Sequence, residues 1–266
     1  MIRKLDQRDN NNLMELIMDE PEYNLYIIGD VENFGYCQDF LELFGEFDEY
    51  GVISAVLVRY FGIFNLYAKD RFDVDGFVNI MKSYDKLGML VGKTQIISRF
   101  EDTSLGFNKS ELHHFAVLKE LKPQFEIDKN VIVKKANTEY VGRIADLKNM
   151  ISEFSSGSNN FKEILINDFK AGTAQGYYIE VDGNMVSYAQ TSAENSKSAM
   201  IVSVMTDKKY RKKGLASACL KVLCDDLVKQ GKTLCLFYRN PEAGAIYRRL
   251  GFKEIGLWSM YMKTEK

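Results

Sequence analysis

The residues of this chain that could do chemistry cluster in Arg211-Lys212-Lys213-Gly214-Leu215-Ala216. Three cations and a glycine stand directly before an apolar pattern of helical spacing, Leu215/Ala216, Cys219/Leu220, Leu223/Cys224 and Leu227/Val228. A basic, glycine-bearing turn that opens a helix suits an anion. The first backbone N–H groups of a helix lack intrahelical partners, its dipole is positive at that end, and glycine leaves the backbone approachable. The expected ligand class is phosphate. A solvated basic loop has the same composition, so the flanking pattern must decide between them. Before the turn runs an apolar, β-branched segment, Met200 to Thr206, as a buried strand would. After the helix, Gly231 supplies a stop and Thr233 to Tyr238 a second apolar strand. Then follow Asn240-Pro241, a short amphipathic segment carrying Ile246, Tyr247 and Leu250, and Gly251-Phe252.

This succession resembles the GNAT superfamily of acetyl-CoA-dependent N-acetyltransferases. Arg211 to Ala216 fits that family's pyrophosphate motif R/Q-x-x-G-x-G/A. Asn240, Tyr247, Gly251 and Phe252 fit its second motif. The resemblance covers roughly residues 125–266 and implies acetyl-CoA as co-substrate, with no metal. The amides of Arg211, Lys212, Lys213, Gly214, Leu215 and Ala216 would take the pyrophosphate. Lys212 and Lys213 add general attraction or simply face solvent. In the family the preceding strand splays from its neighbour and its backbone pairs with pantetheine. Here that means Ser203, Val204 and Met205, with an N–H near Met205 polarising the thioester carbonyl. The same residues also read as plain core strand, and the two roles are compatible. Tyr247, seven residues after Asn240, would donate to the departing thiolate; otherwise it is a structural tyrosine. Asn240 would bond pantetheine or cap the helix that Pro241 opens. No residue is identified as the base. Glu180, Glu194 and Asp207 lie nearest in sequence, and each reads first as a surface carboxylate.

The implied reaction is direct attack of a primary amine, borne by a small molecule or a peptide, on acetyl-CoA in a ternary complex. A non-catalytic acyl-CoA-binding sensor or scaffold is the rival. It predicts binding without thiol release.

These residues need a scaffold. From Val131 the chain reads strand, helix (about Thr138 to Phe154), helix (about Asn160 to Lys170), three antiparallel strands, helix, strand, helix, strand. Asp182-Gly183 marks a two-residue hairpin turn between Tyr177–Val181 and Met185–Gln190. Lys221 and Asp225 are spaced to pair on the helix's wet face. The expected fold class is α+β, a mixed and mostly antiparallel sheet flanked by helices, in two tandem domains. They divide as 1–122 and 125–266 around Leu121-Lys122-Pro123-Gln124-Phe125. The first half suggests helices over Leu13–Met18 and Asp73–Tyr84, two strands around Gly62, and strands at Leu90-Val91 and Phe115–Leu118, with no basic glycine turn. It resembles a degenerate GNAT-like copy; an unrelated α/β lid is the alternative. Its aromatic residues, Phe34, Tyr36, Phe40, Phe44, Phe47 and Tyr50, read first as core packing, with an aromatic-walled acceptor pocket at the domain junction as the alternative.

Bulk properties are those of an ordinary soluble globular chain long enough for two domains. The chain has 266 residues, 46% hydrophobic and 27% charged, with net charge −2, so nothing points to nucleic acid or an anionic membrane. No apolar run reaches the length of a membrane span and no signal peptide is evident, so a cytoplasmic location is expected. Cys37, Cys219, Cys224 and Cys235 show no metal-ligand spacing and read as reduced core residues. His113 and His114 are adjacent, so on a strand they face opposite sides and make no joint metal site. A monomer or a homodimer is compatible with the sequence.

Overall fold

The computed structural model describes residues 1–36, 38–122, 128, 130–154 and 160–263. The chain forms two compact units. Unit 1 is Met1–Phe115 with Ile255–Lys266, and unit 2 is Ala116–Glu254.

Unit 1 begins with β1 (Ile2–Lys4), α1 (Asn10–Ile17) and α2 (Leu25–Phe34). A meander follows, β2 (Leu41–Phe47), β3 (Ile53–Tyr60) and β4 (Ile63–Ala68), turning at Phe61-Gly62. Then α3 (Val74–Lys82) carries the chain over to β5 (Met89–Lys93), which pairs parallel with β4. A single turn, α4 (Thr94–Ile97), and β6 (Lys109–Leu118) complete the series. Its core includes Leu13, Ile17, Leu43, Leu57, Phe64 and Phe77. On β6, His113 is half-buried and His114 exposed, as alternation requires.

Unit 2 repeats the succession of elements. It runs β7 (Lys134–Lys135), α5 (Val141–Asn149), α6 (Phe161–Ala171), β8 (Gly176–Val181), β9 (Asn184–Ser192), β10 (Ser198–Thr206), α7 (Leu215–Lys229), β11 (Thr233–Tyr238) and α8 (Pro241–Leu250), and the series ends in β12 (Lys253–Met262), whose residues from Ile255 on belong to unit 1. Both series read β-α-α-β-β-β-α-β-α-β, so the fold is a tandem repetition of one α+β plan. Strands β7, β8, β9 and β10 are antiparallel neighbours, and β10 and β11 are parallel, which makes a mixed sheet. One core lies under α7 and includes Leu220, Leu223, Leu227, Leu234 and Leu236. Another lies under α5 and α6 around Ile144, Leu147, Tyr178 and Tyr188.

Several local expectations resolve differently. Residues 255–266, assigned from sequence to the second domain, group with unit 1, where Trp258–Met262 pairs antiparallel with Lys93–Met89 of β5. The first strand of unit 2 shortens to Lys134–Lys135. The long helix divides into a 3-10 turn (Thr138–Tyr140), α5 and a second 3-10 turn (Ser152–Phe154). Asp225 pairs with Lys229 at 2.7 Å rather than with Lys221. An acid N-terminal to its base is the favoured order at i,i+4, and Lys221–Asp225 has the reverse. The hairpin turn holds, with Asp182 and Gly183 at φ 49° and 79°, the left-handed pair that type I′ demands. Cys219, Cys224 and Cys235 are buried, and burial pushes the Cys219 thiol up to about 12. Cys37, Pro123, Gln124, Phe125 and the 155–158 linker lie outside the described residues.

Candidate active site

The basic turn leads into an open helix end. Arg211 is extended (ψ 159°), Lys212 sits at φ 63°, and Gly214 is left-handed at φ 76°, ψ 2°. A Cβ on Gly214 would meet nothing within 4 Å, so the backbone angle, not space, requires glycine there. Among the described residues no side chain caps α7, and its first bond runs from Ala218 N–H to Gly214 C=O at 3.0 Å. The N–H groups of Leu215, Ala216 and Ser217 are therefore left to a ligand or water. All four residues from Arg211 to Gly214 are exposed.

Unit 1 closes the equivalent position with its own carboxylate. There α3 is capped by Asp73, whose Oδ1 accepts from Gly76 N–H at 2.9 Å. One anion already occupies that helix end.

The Arg211 guanidinium is engaged. Its Nη1 donates to Glu153 Oε1 at 2.9 Å and its Nε to the Thr206 carbonyl at 3.2 Å. That contact holds the exposed Glu153 carboxyl at about 2, well below its ordinary range. Lys213 lies over the Tyr210 ring, 5.0 Å from its centroid.

The strand ahead of this turn is irregular on both edges. The parallel ladder between β10 and β11 pairs Ser198, Ala199 and Met200 with Thr233, Leu234 and Cys235, and stops there. Beyond that point Ile201–Thr206 and Leu236–Tyr238 are not paired with each other. On the other edge, Val202 pairs with Gln190 and the next pair is Met205 with Tyr188, so Ser203 and Val204 form a bulge. Ser203 carries its strain at φ 52°. The end of one ladder and the bulge in the other leave β10 backbone groups at Ser203 and Val204 outside both, with Met205 the first residue paired again to β9. The Met205 side chain itself is core, packed with Tyr188.

Asn240 caps α8, its Oδ1 accepting from Glu242 N–H at 2.9 Å, with Pro241 in the first turn. Tyr247 is buried in the α7 core, its ring centroid 5.6 Å from Tyr238 and 5.9 Å from Phe252. Burial, with Cys224 and Tyr238 adding, pushes its phenol up to about 12. Gly244 seats the neighbouring ring: a Cβ there would overlap Tyr238.

The three nearby carboxylates are all committed. Glu194 is buried, not on the surface as expected, and takes Lys232 Nζ at 2.7 Å and the Thr191 hydroxyl. Glu180 pairs with Arg143 at 2.9 Å. Asp207 accepts from Lys209 N–H at 3.0 Å. The structure thus brings Ser203–Met205 and the 211–216 turn to the two ends of one segment.

A family model described as GNAT acetyltransferase matches residues 69–261. The chain belongs to the GNAT acetyltransferase family. As a GNAT protein it is an acyltransferase. None of the curated proteins matches its sequence. Solved structures share the GNAT chain's fold at low identity. A Drosophila protein superimposes with TM-score 0.73 at 10% identity, covering 98% of each chain. A GCN5-related N-acetyltransferase-like protein from Streptococcus suis gives 0.61 at 17% identity, over 96% of this chain and 98% of that one. A tandem GNAT protein from the clavulanic acid biosynthesis pathway gives 0.58 at 10% identity, over 100% and 99%. The last likeness agrees with the repeated plan of units 1 and 2.

Proposed function

We propose that this GNAT chain transfers an acetyl group from acetyl-CoA to a primary amine by direct attack in a ternary complex, with unit 2 as the working unit. One observation carries the proposal. The uncapped N-terminus of α7 stands at the end of a strand whose ladder to β11 stops at Met200–Cys235, while the matching helix end in unit 1 is closed by Asp73. The first feature offers free donors to a diphosphate, and the second offers backbone groups to an amide-bearing arm.

In this reading the amides from Arg211 to Ala216 hold the diphosphate, with Arg211, Lys212 and Lys213 supplying positive charge. Ser203, Val204 and Met205 align the pantetheine arm, and an N–H near Met205 stabilises charge developing on the thioester oxygen. Tyr247 donates a hydrogen bond to the departing sulfur. Asn240, already bonded through Oδ1, keeps its Nδ2 protons for the arm. No side chain is assigned as base: the three neighbouring carboxylates are paired or capping, so the reaction draws on the unprotonated fraction of the amine. The acceptor is a small metabolite, an aminoglycoside-like amine or a peptide N-terminus. Buried free thiols at Cys219 and Cys224 suit a reducing cytoplasm.

The test combines calorimetry of acetyl-CoA binding with thiol release over an amine panel, on the parent chain, Arg211→Glu and Gly214→Asp. Binding that both substitutions abolish, with amine-dependent thiol release by the parent, supports the proposal. Binding that survives both refutes the diphosphate cradle. Binding without thiol release turns the assignment to an acyl-CoA sensor.

A further inference from the structure

The two polar side chains that bracket the β10 bulge are themselves unsatisfied. Gln190 pairs across to Val202 on one side of the bulge, and Tyr188 to Met205 on the other. Tyr188 is fully buried and Gln190 is 5% exposed. Neither the Tyr188 hydroxyl nor Gln190 Oε1 has a hydrogen-bond partner, and among the described residues of unit 2 no other buried side-chain atom is so placed. The two residues are i and i+2 on β9, so both side chains stand on the face covered by α5 and α6. They also converge. Gln190 pairs on its other edge with Gly176, and a Cβ on Gly176 would overlap the Tyr188 hydroxyl. A residue without a side chain thus leaves the strip beside Gln190 to one hydroxyl and one amide. Buried polar atoms are nearly always bonded, and exceptions call for a reason.

We infer that Gln190 and Tyr188 are specificity-determining residues, the polar floor of the acceptor subsite, and that they receive an amine bearing a hydroxyl or second amino group close to its reacting nitrogen. The inference rests on the acyl-transfer reading above. Position supports it: the strip lies on the strand next to the bulge, whose backbone groups face the thioester in that reading. Chemistry supports it too. Gln190 Oε1 only accepts, so it needs an N–H or O–H, and the neutral phenol can complete the pair from its other side. Neither residue is bonded to a cation, so nothing in the strip recruits a carboxylate. A purely alkyl amine would leave both orphans unsatisfied, and a site built for hydrogen bonds discriminates against such a ligand.

Gln190→Met and Tyr188→Phe remove the orphans with little change of shape and cut no bond within the protein. The assay uses the full chain with acetyl-CoA and two matched amine pairs, 2-aminoethanol against propylamine and glucosamine against cyclohexylamine. The parent is expected to favour the hydroxylated member of a pair by about tenfold or more in kcat/KM, the worth of one good hydrogen bond. Each variant is expected to lose that preference through a raised acceptor KM, with calorimetric acetyl-CoA affinity unchanged and the thermal midpoint equal to the parent's or higher. Preserved preference in both variants overturns the inference. So does a midpoint lowered by several degrees, because the atoms would then be bonded within the fold. Parent protein that binds acetyl-CoA but uses none of the four amines, or uses them without preference, overturns this inference and leaves the donor site standing. Parent protein that binds no acetyl-CoA removes the acyl-transfer reading beneath it.

Discussion

Tyr247→Phe deletes a single hydroxyl and leaves the ring between Tyr238 and Phe252. That hydroxyl makes no side-chain hydrogen bond among the described residues, so stability is expected to change by less than about 0.5 kcal/mol. Turnover is another matter. Burial raises the phenol to about 12, whereas a thiol leaving group has an ordinary pKa of about 8.5. Complete proton transfer would climb a gap of about 3.5 pK units, or about 5 kcal/mol at 1.36 kcal/mol per unit. The phenol is thus a poor donor of its proton and a good donor of a hydrogen bond. A hydrogen bond to a charged sulfur contributes about 1.5–3 kcal/mol. That corresponds to roughly 10–150-fold in kcat, short of the upper reach of about 10⁴ for full general-acid catalysis. The assay is thiol release at saturating acetyl-CoA between about pH 6 and 10, with acetyl-CoA affinity measured by calorimetry. Tyr247 stays protonated throughout that window, so any rise with pH belongs to deprotonation of the amine and is expected in parent and variant alike. Unchanged kcat would take Tyr247 out of the chemistry. A loss near 10⁴ with the fold intact would refute the energetic argument and show that donor binding brings the phenol far down.

Gly214→Ala adds a Cβ that meets nothing in the free chain, so its stability cost is the left-handed angle alone, about 1 kcal/mol. Acetyl-CoA affinity is expected to fall about tenfold or more, because the new methyl stands where the diphosphate must approach the backbone. Thermal melting with calorimetry separates the two effects, and lost stability at full affinity would count against the cradle. Glu153→Gln frees Arg211 from an exposed, salt-screened ion pair, so acetyl-CoA should bind slightly tighter at low salt. The Glu153 pKa is depressed to about 2, so the pair is complete above the ordinary carboxylate range and is lost as pH falls toward 2. The affinity difference should therefore be constant from pH 6 to 8, and a difference that varies there would point to another group. Lys232→Met strands the buried Glu194 without its cation and should cost about 3–5 kcal/mol in a denaturant melt. A loss under about 1 kcal/mol would mean that the other donors to Glu194, the Thr191 hydroxyl and the Gln175 amide at 3.3 Å, suffice.

Much of unit 2 was legible because its signals are local. Asn240-Pro241 states a cap and a first turn, and Asp182-Gly183 states a hairpin. The stripe from Leu215 to Val228 states one amphipathic helix, and β11 spans Thr233–Tyr238 as read. Unit 1 was harder. Helix α2 buries Leu25, Ile27, Ile28, Gly29 and Val31 around most of its circumference, so it has no clear polar stripe to reveal its period. Strand β2 alternates correctly, Leu41 and Leu43 in with Glu42 less buried, but Phe44 and Phe47 blur the pattern into an aromatic cluster. Strand β1 is three residues long, too short for any periodicity. Around the candidate site, the sequence carried no sign of the Glu153–Arg211 pair, the burial of Glu194 or the orphaned Gln190 and Tyr188. In a strand those polar residues look like ordinary alternation.

By itself, then, the order of residues determined the glycine-bearing basic turn, the helix it opens, the capped α8 with Tyr247, and the lack of any similar turn in the first half. Each is decided within a turn or two of chain, by a cap, a φ preference or a period. Only the tertiary structure decided that the ladder from β10 to β11 stops at Cys235 and that Ser203 and Val204 bulge beside Gln190 and Tyr188. It also decided that the last strand joins β5. Those are choices of partner and register between distant segments, and their free energy belongs to the whole fold rather than to any stretch of sequence.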